Sequence, residues 1–330
     1  MKLMKKLAIA GAIVLGAMSL NAAQAKVYKF ATNIPEIGDT GHLLQDFSKK
    51  LDERTDGRVK IKIFWNSSLG GADQYLQQIK SGVIDIGFIN SSILENLIPE
   101  MGALNLPYVF LSTDYYQKCL EDPYIFQTLK DATAKNGFML AGYVNNYTRS
   151  IYANKELKSF EDLKGLKIRT NPSDSYIKML KAFGAVATPT DFSEVFSALQ
   201  QGLIDAAEGG AQALYELNFA EAAKYAILTE HTRLTDFIVN SEKFAKRVGE
   251  EDYKIFLEEL QELGRISMKV IDEKAERSLE LAVSEKGCVI HTVDKTKFIE
   301  AVQPIYEEAK QDPNKRPLLE KIFEIQGRTL

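Results

Sequence analysis

Lys29-Phe30-Ala31-Thr32-Asn33 and Lys167-Ile168-Arg169-Thr170-Asn171 share one design, each closing a strand-like stretch just before a helical one. A second pair follows in the same order: Gly82-Val83-Ile84-Asp85 after Gln77-Gln78, and Gly202-Leu203-Ile204-Asp205 after Gln200-Gln201. The chain therefore reads as two similar lobes. Ligands of open α/β sheets bind beyond the carboxyl ends of the strands, so the two Thr-Asn loops should face each other across a cleft.

Periodicity fills in the elements around these landmarks. Lys26 to Ala31 alternates as a strand, and Leu43, Leu44, Phe47 and Leu51 share one face of a helix from about Gly41 to Thr55. Arg58 to Trp65 reads as a strand, Gln74 to Lys80 as a helix stopped by Gly82, and Val83 to Ile89 as a buried strand. Such alternation marks an α/β layer. From Glu250 to Glu285 the pattern is one long helix, with Tyr253, Phe256, Leu257, Leu260 and Leu263 recurring at three and four. At about 1.5 Å per residue it is long enough to run behind both lobes. A strand from Cys288 to His291, a helix from Lys295 to Lys310 and a short helix from Pro317 to Ile325 close the chain.

The first 25 residues are of another kind. Lys2, Lys5 and Lys6 precede an apolar stretch from Leu7 to Leu20, and Ala23-Gln24-Ala25 places small residues where a signal peptidase cuts. Residues 1–25 are therefore expected to be a cleaved signal peptide, and the mature protein to be periplasmic. The apolar stretch spans about 21 Å as a helix, short of a bilayer core of about 30 Å. Loss of three lysines takes the formal charge from −4 to −7. That balance offers no field for nucleic acid and none for direct membrane insertion. With 45% apolar and 26% charged side chains, the rest suits one or two soluble domains with sizeable cores. Cys119 and Cys288 are expected to be buried thiols rather than a disulfide.

The inventory for catalysis is thin. The three histidines, His42, His231 and His291, fall in no metal-ligating spacing, and there is no Cys-x-x-Cys, nucleophile elbow or phosphate-binding glycine fingerprint. Neither an enzyme, a cofactor nor a metal is expected. Arg169 stands apart, occupying the strand-end position that holds Ala31 in the first lobe. Its planar fork suits a carboxylate in bidentate geometry, with a structural salt bridge as the alternative. Asp191 and Glu194 form a capping box, and Phe192 beside them is either core or a wall for the carbon chain of a ligand.

The stretches Phe160 to Arg169 (FEDLKGLKIR) and Phe183 to Asp205 (FGAVATPTDFSEVFSALQQGLID), with Asn66 to Gly71 (NSSLGG) and Leu106 to Phe110 (LPYVF), resemble the substrate-binding proteins of tripartite ATP-independent periplasmic (TRAP) transporters, the DctP-type family. The resemblance covers the whole mature chain. It implies a two-lobed α/β periplasmic-binding-protein fold, each lobe an open sheet flanked by helices, with a long helix spanning both. Lobe I is expected to comprise 26–146 and about 235–274. Lobe II would comprise 147–234 and about 275–330, with the spanning helix and the C-terminal helices.

By the same resemblance, Arg169 pairs with the carboxylate of a small organic acid, Arg149 is a second arginine, and Asn33, Asn90 and Phe192 complete the site. Two positions depart from the family pattern. Asp73 stands where a first-lobe arginine is common nearby, and Gly209 stands where many sugar-acid binders have an asparagine. Both count as site positions with altered chemistry, and they point away from a sialic-acid-like ligand. The expected partners are the organic acid and the TRAP membrane permease subunits, with the protein acting as a monomer. Two other readings stay open on sequence: an extracytoplasmic sensor for the same acid, and an exported enzyme using Asp191 or Glu208 as acid or base.

Overall fold

The computed structural model describes residues 26–330, so the expected signal peptide lies outside the described residues. Nine strands form one sheet: β1 (Lys26–Ala31), β2 (Val59–Phe64), β3 (Ile86–Asn90), β4 (Met139–Ala153), β5 (Lys167–Thr170), β6 (Val186–Pro189), β7 (Ala206–Gly210), β8 (Tyr225–Asn240) and β9 (Val289–Thr292). Their order is β2-β1-β3-β8-β4-β7-β5-β6, with β9 paired to β8. The flanking helices are α1 (Asp39–Arg54), α2 (Ala72–Ser81), α3 (Ser91–Leu94), α4 (Thr113–Glu121), α5 (Pro123–Lys135), α6 (Asp174–Ala182), α7 (Val195–Gln200), α8 (Ala213–Glu216), α9 (Glu242–Val248), α10 (Glu250–Ser284), α11 (Thr296–Ala301), α12 (Gln303–Gln311) and α13 (Arg316–Ile325).

The repeat seen in the sequence is a repeat of hydrogen bonds. Asp85 accepts from the Lys29 amide and Asp205 from the Lys167 amide, both at 2.8 Å. The amide of Asp85 donates to the Lys29 carbonyl, and that of Asp205 to the Lys167 carbonyl. Each aspartate thus pins one parallel strand to the turn before the next. Gly82 and Gly202 end the preceding helices at φ 75° and 69°, where a Cβ is strained. This hook also corrects the expected strand Val83 to Ile89. The chain is still turning at Val83, which is exposed, and pairing begins only at Ile86.

The lobes are joined by the two longest strands. The first half of β4 pairs with residues 235–240 of β8 and the second half with residues 225–233. The ladder slips between Asn145 and Thr148, and again between Arg149 and Ile151. The sheets of the two lobes are therefore continuous, kinked at bulges in the crossing.

Helix α10, 35 residues and about 52 Å long, backs this crossing. Gly142 and Gly264 let strand and helix touch: a Cβ at Gly142 would lie 2.9 Å from Leu260, and one at Gly264 would lie 3.2 Å from the Tyr143 carbonyl. The helix binds α1 through Arg54 to Glu258 and Glu259, and lobe II through Ser278 to Glu216. The expected single helix from Lys295 to Lys310 is two, broken at Val302 with Pro304 in the first turn of α12. Both cysteines are buried and free.

Candidate functional site

Strand ends, first turns and the bulged crossing converge on a cleft of about 750 Å³, counted to its mouth. Lobe I contributes Asn33 after β1, the Gly38-Asp39 turn into α1 and Asn90 at the end of β3. Lobe II contributes Asn171, Phe192, Gly209, Gln212 and Glu216, and the crossing strands contribute Asn146, Tyr147, Arg149, Tyr152 and Asp236. A wider hollow between α5 and α10 is lined by Phe126, Tyr143 and Leu257, and none of its charged residues is buried.

Arg149 is buried against Glu208 in a two-pronged pair, Nε to Oε2 at 2.6 Å and Nη2 to Oε1 at 2.8 Å. Strand pairing of β4 with β7 sets this contact, since Arg149 faces Gly210 and Ile151 faces Glu208. Glu208 also accepts from the Thr170 hydroxyl at 2.8 Å. Burial alone would raise the Glu208 carboxyl, but the Arg149 guanidinium outweighs it and holds the group well below the usual carboxylate range. The Glu208 Oε2 lies 3.6 Å from His231 Nε2, and burial keeps that imidazole below its ordinary value. Glu208 is thus a fixed anion that orients Arg149. The Arg149 Nη1 makes no hydrogen bond among the described residues.

Arg169, expected to point into the cleft, is instead buried beside its wall. It is 1% exposed, and its Nε and Nη2 both donate to the Thr190 carbonyl, at 2.9 and 2.6 Å. No carboxylate is paired with it among the described residues, and burial pulls its guanidinium down to about 10. Its carbon centre sits 5.8 Å from the centre of the Phe192 ring. Phe192 is both wall and core: it lines the cleft and stacks on Phe219. Asp191 caps the turn at Ser193, but Glu194 gives no reciprocal cap bond, so the box is half formed.

Asn90 caps α3 through Ile93 and accepts from Ser92, which fixes its amide. Asn33 is buried on the wall. Asp73 is exposed on the first turn of α2 and does not reach the cleft wall. At Gly209 a Cβ would meet the Tyr152 hydroxyl at 3.1 Å. The tyrosine therefore fills space that a larger residue at 209 would need.

Tyr147, Tyr152, Asn146, Asp236 and Glu216 were not singled out by sequence reasoning. Asn146 and Tyr147 lie just before Arg149 in the sequence, whereas Asp236 and Glu216 had no signal beyond composition. The lobes touch at several points around the cleft. Ser67 donates to Asp191 at 3.0 Å, Asn171 to Ser92 at 3.0 Å, and Asn96 to the Pro172 carbonyl at 2.7 Å. At the mouth, the Tyr147 hydroxyl lies 2.9 Å from Asp39 of lobe I and 2.8 Å from Glu216 of lobe II. Lys274 pairs with that Asp39.

Residues 30–312 match the family model for bacterial extracellular solute-binding protein, family 7 (DctP). The chain belongs to this family. It is similar to the 2,3-diketo-L-gulonate-binding periplasmic protein YiaO of Escherichia coli, 30% identical over 94% of this chain and 96% of the relative. A TRAP periplasmic solute-binding protein from Bradyrhizobium, solved with galacturonate, superposes with a TM-score of 0.84 at 32% identity, covering 90% of this chain and 99% of that one. One from Anaerococcus prevotii, solved with glucuronate, gives 0.86 at 27%, covering 92% and 98%. The DctP-family chain described here is accordingly the extracytoplasmic solute-binding component of a TRAP transporter, with the two-lobed fold of its relatives. No helix among its described residues is long and apolar enough to cross a membrane.

Proposed function

We propose that the cleft captures a small organic carboxylate, which Arg149 holds from the crossing strands with Arg169 as a second cation beside the wall, while Asn33, Asn90 and Phe192 complete the enclosure, and that the protein releases it unchanged to the permease subunits. The observation that carries this reading is the free Nη1 of Arg149 on the cleft wall, its other nitrogens locked to Glu208. A guanidinium so fixed meets a carboxylate without losing side-chain freedom, and each charge-assisted bond in a dry cleft contributes about 1.5–3 kcal/mol. Arg169 supplies a second cation whose Nη1 makes no hydrogen bond among the described residues. The acids named for the relatives, diketogulonate, galacturonate and glucuronate, support the carboxylate class. Glu208 held ionised by Arg149 is a poor proton donor, which argues against the enzyme reading.

A thermal-shift screen of uronates, aldonates and dicarboxylates, followed by calorimetry on the best binder, tests the proposal. Arg169→Ala should cost at least about 2 kcal/mol of binding, and Arg169→Lys should also weaken it, because an ammonium lacks the fork. Unchanged affinity in both variants would remove Arg169 from the site. Turnover of the bound acid would favour the enzyme instead.

A further inference from the structure

One wall of the cleft carries a carboxyl group that capture by arginines leaves unused. Asp236 lies on β8 between Asn90 of β3 and Val144 of β4, so both neighbouring strands bury it, to 3% exposure. Asn146 donates to its Oδ2 at 2.5 Å. Its Oδ1 makes no hydrogen bond among the described residues, yet it is not sealed off, and the residue lines the cleft. No cation pairs with it among the described residues, since Arg149 is committed to Glu208. The bulged register sets Arg149 opposite Thr232, four residues along β8 from Asp236. That is about 13 Å of backbone, and both residues line the cleft.

An acceptor so placed is costly to bury unless something donates to it. A ligand hydroxyl does so. A second carboxylate would set two acids against each other out of water, with only neutral side chains such as Asn90 and Asn146 on the neighbouring strands to soften the contact. We propose that Asp236 is a specificity-determining residue: it accepts a hydrogen bond from a hydroxyl at the end of the ligand away from the arginines, and so admits hydroxylated monocarboxylates while rejecting the dicarboxylates of equal length. This rests on carboxylate capture by the arginines as proposed above. It narrows the class to acids with one anionic end.

Matched pairs that differ only at the terminal carbon test it by calorimetry: erythronate with meso-tartrate, and gluconate with glucarate. In the wild-type protein the monocarboxylate of whichever pair binds should be preferred by at least about tenfold. Asp236→Asn, which keeps the size and the Asn146 contact, should shrink that preference to about threefold or less. Should that variant fold poorly, the wild-type preference measured at pH 8 and pH 5.5 replaces it. Burial raises Asp236 to about 7, so rejection of the dicarboxylate should relax at the lower pH. A dicarboxylate bound as tightly as its partner, or a preference untouched by both the substitution and pH, overturns the assignment. If no acid of either pair binds, while Arg169→Ala also leaves every screened ligand unaffected, carboxylate capture itself is wrong and this inference falls with it.

Discussion

Glu208, packed against Arg149, and Asp236, on the cleft wall, are both buried carboxyls, and they respond to pH in opposite senses. Burial penalises Glu208, but Arg149 overcompensates, so its folded-state value lies below the ordinary one. Its contribution to stability is present above the usual carboxylate range and is lost as pH falls. Asp236 has no such partner, and burial raises it from 3.8 to about 7. The native state then binds that proton more tightly than the unfolded chain, so stability falls as pH rises from about 4 through about 7. Asp236→Asn should flatten that slope and raise the melting temperature of the ligand-free protein at pH 8 by about 3–6 °C; an unchanged melting profile would contradict the burial argument. Glu208→Gln should do the reverse, lowering stability by about 3 kcal/mol because it strands a buried guanidinium. Chemical denaturation at pH 7 measures it.

At the scale of elements, the crossing of β4 and β8 depends on one arginine. Arg233 lies at the slip in the ladder, donating to Asp272 of α10 at 2.8 Å, to the hydroxyls of Thr113 and Thr148 at 2.8 and 3.0 Å, and to Asn145 at 3.2 Å. It ties the bulge to the long helix, and α10 holds the same place from the other side through Ser267 to the Asn145 amide. Arg233→Met should destabilise by about 2–3 kcal/mol, discounted from a fully buried pair because Asp272 is partly exposed. A denaturant midpoint unchanged by the substitution would show that helix packing alone holds the bulge. The long helix was legible because its apolar stripe persists for 35 residues. The bulges were not, because a slip of the ladder depends on the partner strand, and in sequence Asn145-to-Arg149 looks like any extended stretch. For the same reason the repeated Asp85 and Asp205 were readable as a motif, whereas their shared role as hooks on the neighbouring strand became visible only in three dimensions.

Across the whole molecule, the largest apolar core runs through the crossing, from Ile93 and Leu106 to Ile168, Phe183 and Leu318. The halves are therefore not independent bodies on a loose tether, and movement between them should be bending of the two long strands. The two-lobed plan came from the repeat, and the cleft position from the strand ends. What composition could not supply was the far wall: Tyr147, Asp236 and Glu216 lie on the crossing or on α8, brought to the cleft by pairing over long sequence distances.

The contact at the mouth has a consequence for when the protein grips. Two carboxylates of opposite lobes approach one phenol, which has a single hydrogen to give, so one of the acids must bring its own. Lys274 pairs with Asp39, while burial raises the Glu216 carboxyl, on which Tyr147, Asp39 and the Ser278 hydroxyl also bear. Glu216, whose carboxyl burial raises, is the expected carrier of the extra hydrogen. Drawing the lobes together picks it up from the medium, and parting them gives it back. Acidic surroundings should tighten the hold on the cargo and alkaline ones loosen it. Glu216→Gln, which carries its hydrogens permanently, should remove part of that dependence, visible as a shallower plot of affinity against pH beside the parent protein. A slope identical in the two proteins would mean that shutting the mouth takes up nothing.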